Sequence, residues 1–205
     1  MAQIIVFDID RTLYNTDKFH DIYTEKFTKD LDISPEKLSD SVSAYKRSLK
    51  KSTDFLPKHF LRFLSRSLNI SLNQLEKYYL SPDNFTHSIY PDVIPALKKL
   101  SKHCSLGVFS EGYISFQKLK ISSIRNYFNP GLIFILRRKT SPVNIRKIPS
   151  GSTVVDDNPE IINQLTKYPN LHPVWLNRKD DSSHPSAPTI HSLIDLPSIN
   201  PFPSE

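Results

Sequence analysis

Five short apolar runs constrain the fold of this 205-residue chain more than any other feature. The first, Gln3-Ile4-Ile5-Val6-Phe7, is unbroken and stops at Asp8. Leu106-Gly107-Val108-Phe109, Leu132-Ile133-Phe134-Ile135-Leu136 and Thr153-Val154-Val155 follow much later, with Val174-Trp175-Leu176 as a weaker fifth. A continuous run, unlike an alternating one, describes a strand buried on both faces, which needs a parallel sheet covered by helices. The intervening sequence supplies such helices. Val93, Leu97 and Leu100 fall at i, i+4 and i+7, and Ile161, Ile162 and Leu165 follow Pro159, which suits a helix's first turn. The pattern predicts an α/β protein with a doubly wound, mostly parallel, Rossmann-like sheet.

Residues 15–87 break the pattern, with no convincing strand. Phe19, Ile22, Tyr23 and Phe27 share one helical face. Leu38, Val42, Tyr45 and Leu49 share a second, opened by Ser34 with Pro35 behind it. Phe60, Leu61, Leu64 and Leu68 mark a third helix, and Ser71-Leu72-Asn73-Gln74 matches a capping box for a fourth. The division expected is an α/β core of residues 1–14 and 88–205 with an all-helical insertion at 15–87. The Pro- and Ser-rich segment 179–205 is expected to wrap the core irregularly, with its last few residues loose.

Composition narrows the function classes. At 38% hydrophobic and 11% aromatic, the chain has enough apolar material for a packed core. No apolar run approaches the ~20 residues of a membrane span. The first residues lack the charged region and cleavage site of a signal peptide, so the expectation is a cytoplasmic protein with no membrane partner. A single cysteine, Cys104, makes no internal disulfide and no cysteine-built zinc site. With only 4 glycines and no GxGxxG or GxxxxGK[ST] string, glycine-rich phosphate loops are excluded. The net charge of +6 suits an anionic ligand, although a basic surface kept for solubility accounts for it equally well.

The chemistry-bearing residues gather where the predicted strands end, which is where open α/β sheets bind ligands. Asp8 and Asp10 follow the first strand, in Phe7-Asp8-Ile9-Asp10-Arg11-Thr12-Leu13. Asp156 and Asp157 follow the fourth, before Asn158-Pro159. Carboxylates at buried strand ends need a compensating cation or hydrogen bonds, and a hard divalent ion such as Mg²⁺ prefers oxygen ligands. Plain helix capping by Asp157 or Asn158 is the bland alternative. Ser110, in Val108-Phe109-Ser110-Glu111-Gly112, brings a hydroxyl and backbone N–H groups suited to a phosphate oxygen. Arg137, Arg138 and Lys139 bring cations after the third run, and spacing alone does not choose among them.

These segments, in this order and over essentially the whole chain, resemble the haloacid dehalogenase superfamily in its phosphatase branch. Phe7 to Leu13 is similar to the DxDxT motif, Ser110 to the second-motif hydroxyl residue, Lys139 to the third-motif lysine and Asp156-Asp157 to the fourth-motif acids. Lys139-Thr140-Ser141-Pro142 is similar to the KPxP string, and Ile89-Tyr90-Pro91-Asp92-Val93 to the segment re-entering the core after a helical C1 cap. The resemblance implies a Mg²⁺-dependent phosphomonoester hydrolase with Asp8 as nucleophile and Asp10 as general acid and base. Mg²⁺ would be held by Asp8, the Asp10 carbonyl, Asp157 directly and Asp156 through water. Ser110 and Lys139, with N–H groups near Ile9 and Glu111, would hold the phosphoryl oxygens. Dehalogenase members lack an acid at the Asp10 position, so it favours phosphate chemistry. Arg11 departs from the glycine or asparagine common at its position.

Arg11, Tyr14 and His20 are the candidate substrate contacts, with Phe19 and Tyr23 read as core residues despite lying nearby. Lys46, Arg47, Lys50 and Lys51 read as favourable charge around the second helix's end. The partner expected is a small phosphorylated metabolite, a nucleotide or sugar phosphate, rather than nucleic acid; the sequence leaves the oligomeric state open. A phosphomutase and a non-catalytic phosphate-ligand binder on the same fold are the alternatives.

Overall fold

The computed structural model describes residues 3–51 and 54–199. Six strands, β1 (Gln3–Phe7), β2 (Cys104–Glu111), β3 (Ile133–Leu136), β4 (Thr153–Asp156), β5 (His172–Leu176) and β6 (Thr189–Ile190), form one sheet in the order β3-β2-β1-β4-β5-β6. Every pairing is parallel. The chain winds outward through β2 and β3 on one side of β1, then returns to β4 on the other, so β1 and β4 flank the point where strand order reverses.

The apolar runs divide by alternate residues. Ile5, Phe7, Leu106, Val108 and Val155 face one apolar layer, while Val6, Phe109 and Val154 face another with Ile145, Ile148, Leu165 and Leu171. Gly107 is required by a close approach: a Cβ there would meet the Leu132 carbonyl oxygen at 2.5 Å. Of the helices covering the sheet, α6 (Val93–Leu100) buries Val93, Ala96, Leu97 and Leu100. The helix at Pro159–Leu165 is capped by Asn158, whose side chain accepts from the Glu160 N–H. Asp157 is thereby free of the capping role.

Among the described residues, five helices occupy the insertion: α1 (Thr16–Asp30), α2 (Pro35–Ser48), α3 (Pro57–Leu68), α4 (Leu72–Tyr79) and α5 (Pro82–His87). Their shared interior is aromatic, with Phe19, Tyr23, Phe27, Tyr45, Phe60, Tyr79 and Phe85 all buried. Ring centroids pack 4.9 Å apart for Tyr23–Tyr79 and 5.0 Å for Phe19–Tyr79. Ile22 is only half-buried. The chain leaves and re-enters the core side by side: Asn15 N–H donates to the Ser88 carbonyl at 2.7 Å and Tyr90 N–H to the Leu13 carbonyl at 3.2 Å. Arg178 braces this crossing by donating to the Thr12 carbonyl, pairing with Asp92 at 3.0 Å and lying over the Tyr90 ring.

The structure corrects three expectations. Ser71 makes no side-chain capping bond, so the capping box is not formed, although α4 starts where that signal placed it. A fifth helix, α5, follows α4; at six residues it is too short for periodicity to reveal. The segment from 179 is not wholly irregular: it adds β6 beside β5 and a short helical end at Leu193–Asp195 and Leu196–Ile199. Two residues cannot show a period, and β6 is fixed by its neighbours Trp175 and Leu176. The expected loose end, 200–205, lies outside the described residues.

Candidate active site at the strand ends

Register brings the two acidic segments together. Phe7 pairs with Val155, and Asp8 N–H donates to the Val155 carbonyl at 2.9 Å, so Asp8 stands beside Asp156 at the carboxyl ends of β1 and β4. Lys139 closes the group. Its backbone N–H donates to a Glu111 carboxylate oxygen at 3.1 Å, which anchors the loop after β3. Its ammonium, 2% exposed, donates to Asp8 Oδ1 at 2.5 Å and Asp156 Oδ2 at 2.6 Å. Geometry thus chooses among the three adjacent cations. Arg138 is exposed, and Arg137 turns away to pair with Asp54 at 2.7 Å over the Tyr113 ring.

The acids are unequally served. Asp156 uses both oxygens, Oδ2 for Lys139 and Oδ1 for the Asn158 N–H at 2.9 Å. Among the described residues, none donates to Asp8 Oδ2 or to the Asp157 carboxylate, whereas the Asp157 carbonyl accepts from the Trp175 indole. Burial pushes the Asp8 carboxyl up to about 7; Lys139 opposes this, and the charges of Asp156 and Asp10 add to it. Burial, then Asp156, pushes Asp157 up to about 6 against Lys139 and Arg11. Burial disfavours the Lys139 charge, but Asp156 and Asp8 outweigh it and hold the ammonium well above its ordinary range.

A divalent cation fits this donor set in one particular way. Among the described residues no three His, Cys, Asp or Glu side chains converge closely enough to hold a metal ion by themselves. Mg²⁺, however, binds through one or two carboxylates and keeps waters for its other positions. Asp8 and Asp157 have oxygens to offer, and their raised values mark a site short of positive charge. Asp156, with both oxygens engaged, suits an outer position.

Asp10 has a different environment. Its side chain is 36% exposed and accepts four hydrogen bonds from three side chains. Lys120 reaches Oδ1 at 2.6 Å and Oδ2 at 2.7 Å, Thr16 reaches Oδ1 at 2.8 Å, and Gln117 reaches Oδ2 at 2.9 Å. Burial would raise the Asp10 carboxyl, but the Lys120 charge and these hydrogen bonds hold it below the ordinary carboxylate range. Gln117 and Lys120 ride on α7 (Ile114–Lys120), a helix that the sequence reading did not find. Seven residues give little periodicity, and a buried lysine breaks the rule that lysines face water. The available signal was the helical i, i+3 spacing of Gln117 and Lys120 just after Ser110-Glu111-Gly112. Gly112 is needed here: its φ is +146°, and a Cβ would lie 2.9 Å from Gln117 Nε2.

Ser110 is buried at the end of β2, its hydroxyl 3.4 Å from Gln117 Nε2. Glu111 gives its carbonyl to Gln117 and its carboxylate to Lys139, and Ile9 is buried with its carbonyl capping the Thr12–Tyr14 turn. Arg11 takes φ +58°, the left-handed region that glycine and asparagine favour, so its departure is one of side chain and not of backbone path. Its guanidinium is exposed and 3.5 Å from Asp17. Tyr14 differs from expectation: it is a core residue with no exposed surface, packed 5.7 Å from Phe19, rather than a face open to a ligand. The α1 periodicity begins just beyond it and continues the aromatic interior down to it. His20 is half-buried beside Tyr23 and 3.9 Å from Asp21, with burial and Lys46 lowering its imidazole.

No family model and no curated protein matches the sequence. Solved structures do. A HAD phosphatase from Thermococcus onnurineus is similar at TM-score 0.66 and 22% identity, over 98% of this chain and 99% of that one. The HAD-hydrolase YfnB from Bacillus subtilis, bound to magnesium, matches at TM-score 0.67 and 14% identity over 98% and 99%. L-2-haloacid dehalogenase from Xanthobacter autotrophicus, with chloropropionic acid covalently bound, matches at TM-score 0.64 and 12% identity over the full length of both chains. The structural relatives thus include a phosphatase and a dehalogenase, and this chain has the fold of the haloacid dehalogenase-like hydrolases.

Proposed function

We propose that the protein is a Mg²⁺-dependent hydrolase of small phosphate monoesters, such as a nucleotide or sugar phosphate, working through an aspartyl-phosphate on Asp8. The observation that carries this reading is the pair of acids at the end of β1. Asp8 is buried against Lys139, and Asp10, two residues on, is held separately by Lys120, Gln117 and Thr16. A halide leaves without a proton, whereas an ester oxygen needs one, so the second acid serves phosphate chemistry.

Asp8 Oδ2 attacks phosphorus while the ester P–O bond breaks, and Asp10, a carboxylate in the free protein, takes up the proton of the bound ester's monoanion and passes it to the departing oxygen. Asp10, again a carboxylate, takes a proton from a water that attacks the same phosphorus. The bond to Asp8 breaks, releasing inorganic phosphate. Lys139 neutralises the transferring group and favours the ionised form of Asp8 against the effect of burial, and Ser110 offers its hydroxyl to a phosphoryl oxygen. Asp8, Asp157 and the Asp10 carbonyl would hold Mg²⁺, with Asp156 outside them; the ion would supply positive charge to the phosphoryl oxygens. The helical unit, residues 15–87, acts as the cap, with Arg11 at its base favouring an anionic substrate.

Purified protein with Mg²⁺ should release phosphate from p-nitrophenyl phosphate and a panel of sugar and nucleoside phosphates, and Asp8→Asn should not. Chloride release from 2-chloropropionate in place of phosphate release would sink the reading.

A further inference from the structure

We infer that Lys120 is a positioning residue for Asp10, fixing the carboxylate that serves the leaving group; this rests on the phosphatase reading above. The geometry goes beyond what stability asks for. Withdrawing an ammonium from water to meet a carboxylate that is still 36% exposed returns little stability. Yet Lys120 is only 7% exposed, and it donates to both Asp10 oxygens at 2.6 and 2.7 Å.

Its ammonium is held by two rings as well as by the carboxylate. The ammonium lies 4.6 Å from the Phe116 ring centre and 5.5 Å from that of Tyr14, so two aromatic faces confine it where it meets the carboxylate. Phe116 is braced in turn by Phe55 at 5.8 Å and Phe85 at 6.2 Å, both from the helical unit. Gln117, one turn back on α7, is aligned by the Glu111 carbonyl at 2.7 Å and admitted by the absent Cβ of Gly112. Thr16, first residue of α1, completes the set. The Asp10 side chain is therefore fixed by donors from the core helix and from the first helix of the insertion together. A carboxylate that must meet an ester oxygen, and then a water, gains from such fixed placement.

The role separates from simple structural support through the leaving group. An aryl ester such as p-nitrophenyl phosphate departs without help, whereas an alkyl ester such as glycerol 3-phosphate needs a proton passed to it through a correctly placed Asp10 carboxylate. Lys120→Met should therefore lower kcat/KM for the alkyl ester at least about 10-fold more than for the aryl ester, as Asp10→Asn does. In the Asp10→Asn background, Lys120→Met should cost less than about 2-fold more, because its only route of action is already gone. Lys120→Gln, which keeps one donor, should lie between parent and Lys120→Met; it also serves as the test protein should Lys120→Met not fold.

Equal losses for the two esters, or full additivity with Asp10→Asn, overturn the Lys120 role while leaving the phosphatase reading intact. A parent that hydrolyses neither ester overturns both.

Discussion

The strand-end site and the interior of the helical unit are both buried, and they are built on opposite physical terms. At the strand ends, Asp8, Asp156 and Asp157 crowd like charges around Lys139, and two of the three carboxyls are pushed far above their ordinary range. In the helical unit, Phe19, Tyr23, Phe60 and Tyr79 meet ring to ring, with nothing to neutralise. The first region crowds charge that the proposed cation would relieve; the second supplies packing free energy that offsets the cost of the first. The contrast predicts that side chains removed from one region cost activity, and from the other, stability.

The sharpest test is at Asp8. Asp8→Asn should reduce phosphate release by roughly 10⁴-fold or more, while its unfolding free energy stays within about 1 kcal/mol of the parent. The substitution removes a carboxyl that burial penalises and leaves Lys139 paired with Asp156. Kinetics beside urea denaturation reads both quantities. An unfolded variant would show that the acid cluster is structural after all.

Phe60→Ala should give the converse. Phe60 is 1% exposed and packs against Tyr23, Tyr45 and Tyr79, so truncation should cost about 3–5 kcal/mol. Activity per folded molecule should stay within about 3-fold of the parent. A loss of turnover in step with stability would mean that the two regions are not separable.

A pH series sharpens the comparison further. Asp8 and Asp157 have folded values above their ordinary 3.8, so the native state binds their protons more tightly than the unfolded chain does. Stability without metal should therefore fall as pH rises from about 4 to about 7, the interval between those values. The lowered groups, Asp10 and Asp92, act in the other direction and at lower pH, below 3.8. Mg²⁺ competes for the ionised carboxylates, so it should raise the Tm more at pH 7.5 than at pH 5, and a chelator should reverse the gain. Phe60→Ala should show the same Mg²⁺ response, and Asp8→Asn a smaller one. A Mg²⁺ shift that is the same at both pH values would break the link between charge crowding and the cation.

How much of this could be read in the sequence follows the same division. The five longer strands and both acidic strand ends were legible because a buried parallel strand announces itself as a run, and an acid after such a run has few ordinary explanations. Asn158, not Asp157, proved to be the cap, a choice that spacing left open. The choice of Lys139 over Arg137 and Arg138 was settled by where the loop after β3 points, through the bond from Lys139 N–H to Glu111. Lys120 and Gln117 were missed because their helix is short and their burial contradicts their composition. Tyr14 was misjudged because nearness to Asp10 in sequence does not say which way a ring faces. The edge strand β6 is dictated by β5 and has no pattern of its own.

The smallest expected effect lies where the two regions touch. Arg137, just after β3, pairs with Asp54 of the helical unit at 2.7 Å and stacks 4.1 Å from the Tyr113 ring centre. Both partners of the ion pair are well exposed, at 44% and 38%, so solvent screens the pair, and a double-mutant cycle should assign it only about 0.2–1 kcal/mol of stability. Its value to function is different in kind. If the helical unit covers the site as proposed, a contact that joins it to the core helps to hold the two together over substrate, so Asp54→Ala should raise KM by about 2- to 5-fold with kcat nearly constant, an effect no larger than the free energy of the pair allows. Added salt should shrink the difference between Asp54→Ala and parent, because screening weakens the pair in the parent alone. If Asp54→Ala instead lowers kcat with KM unchanged, the helical unit reaches the chemistry directly, and the separation between the two regions fails at this contact.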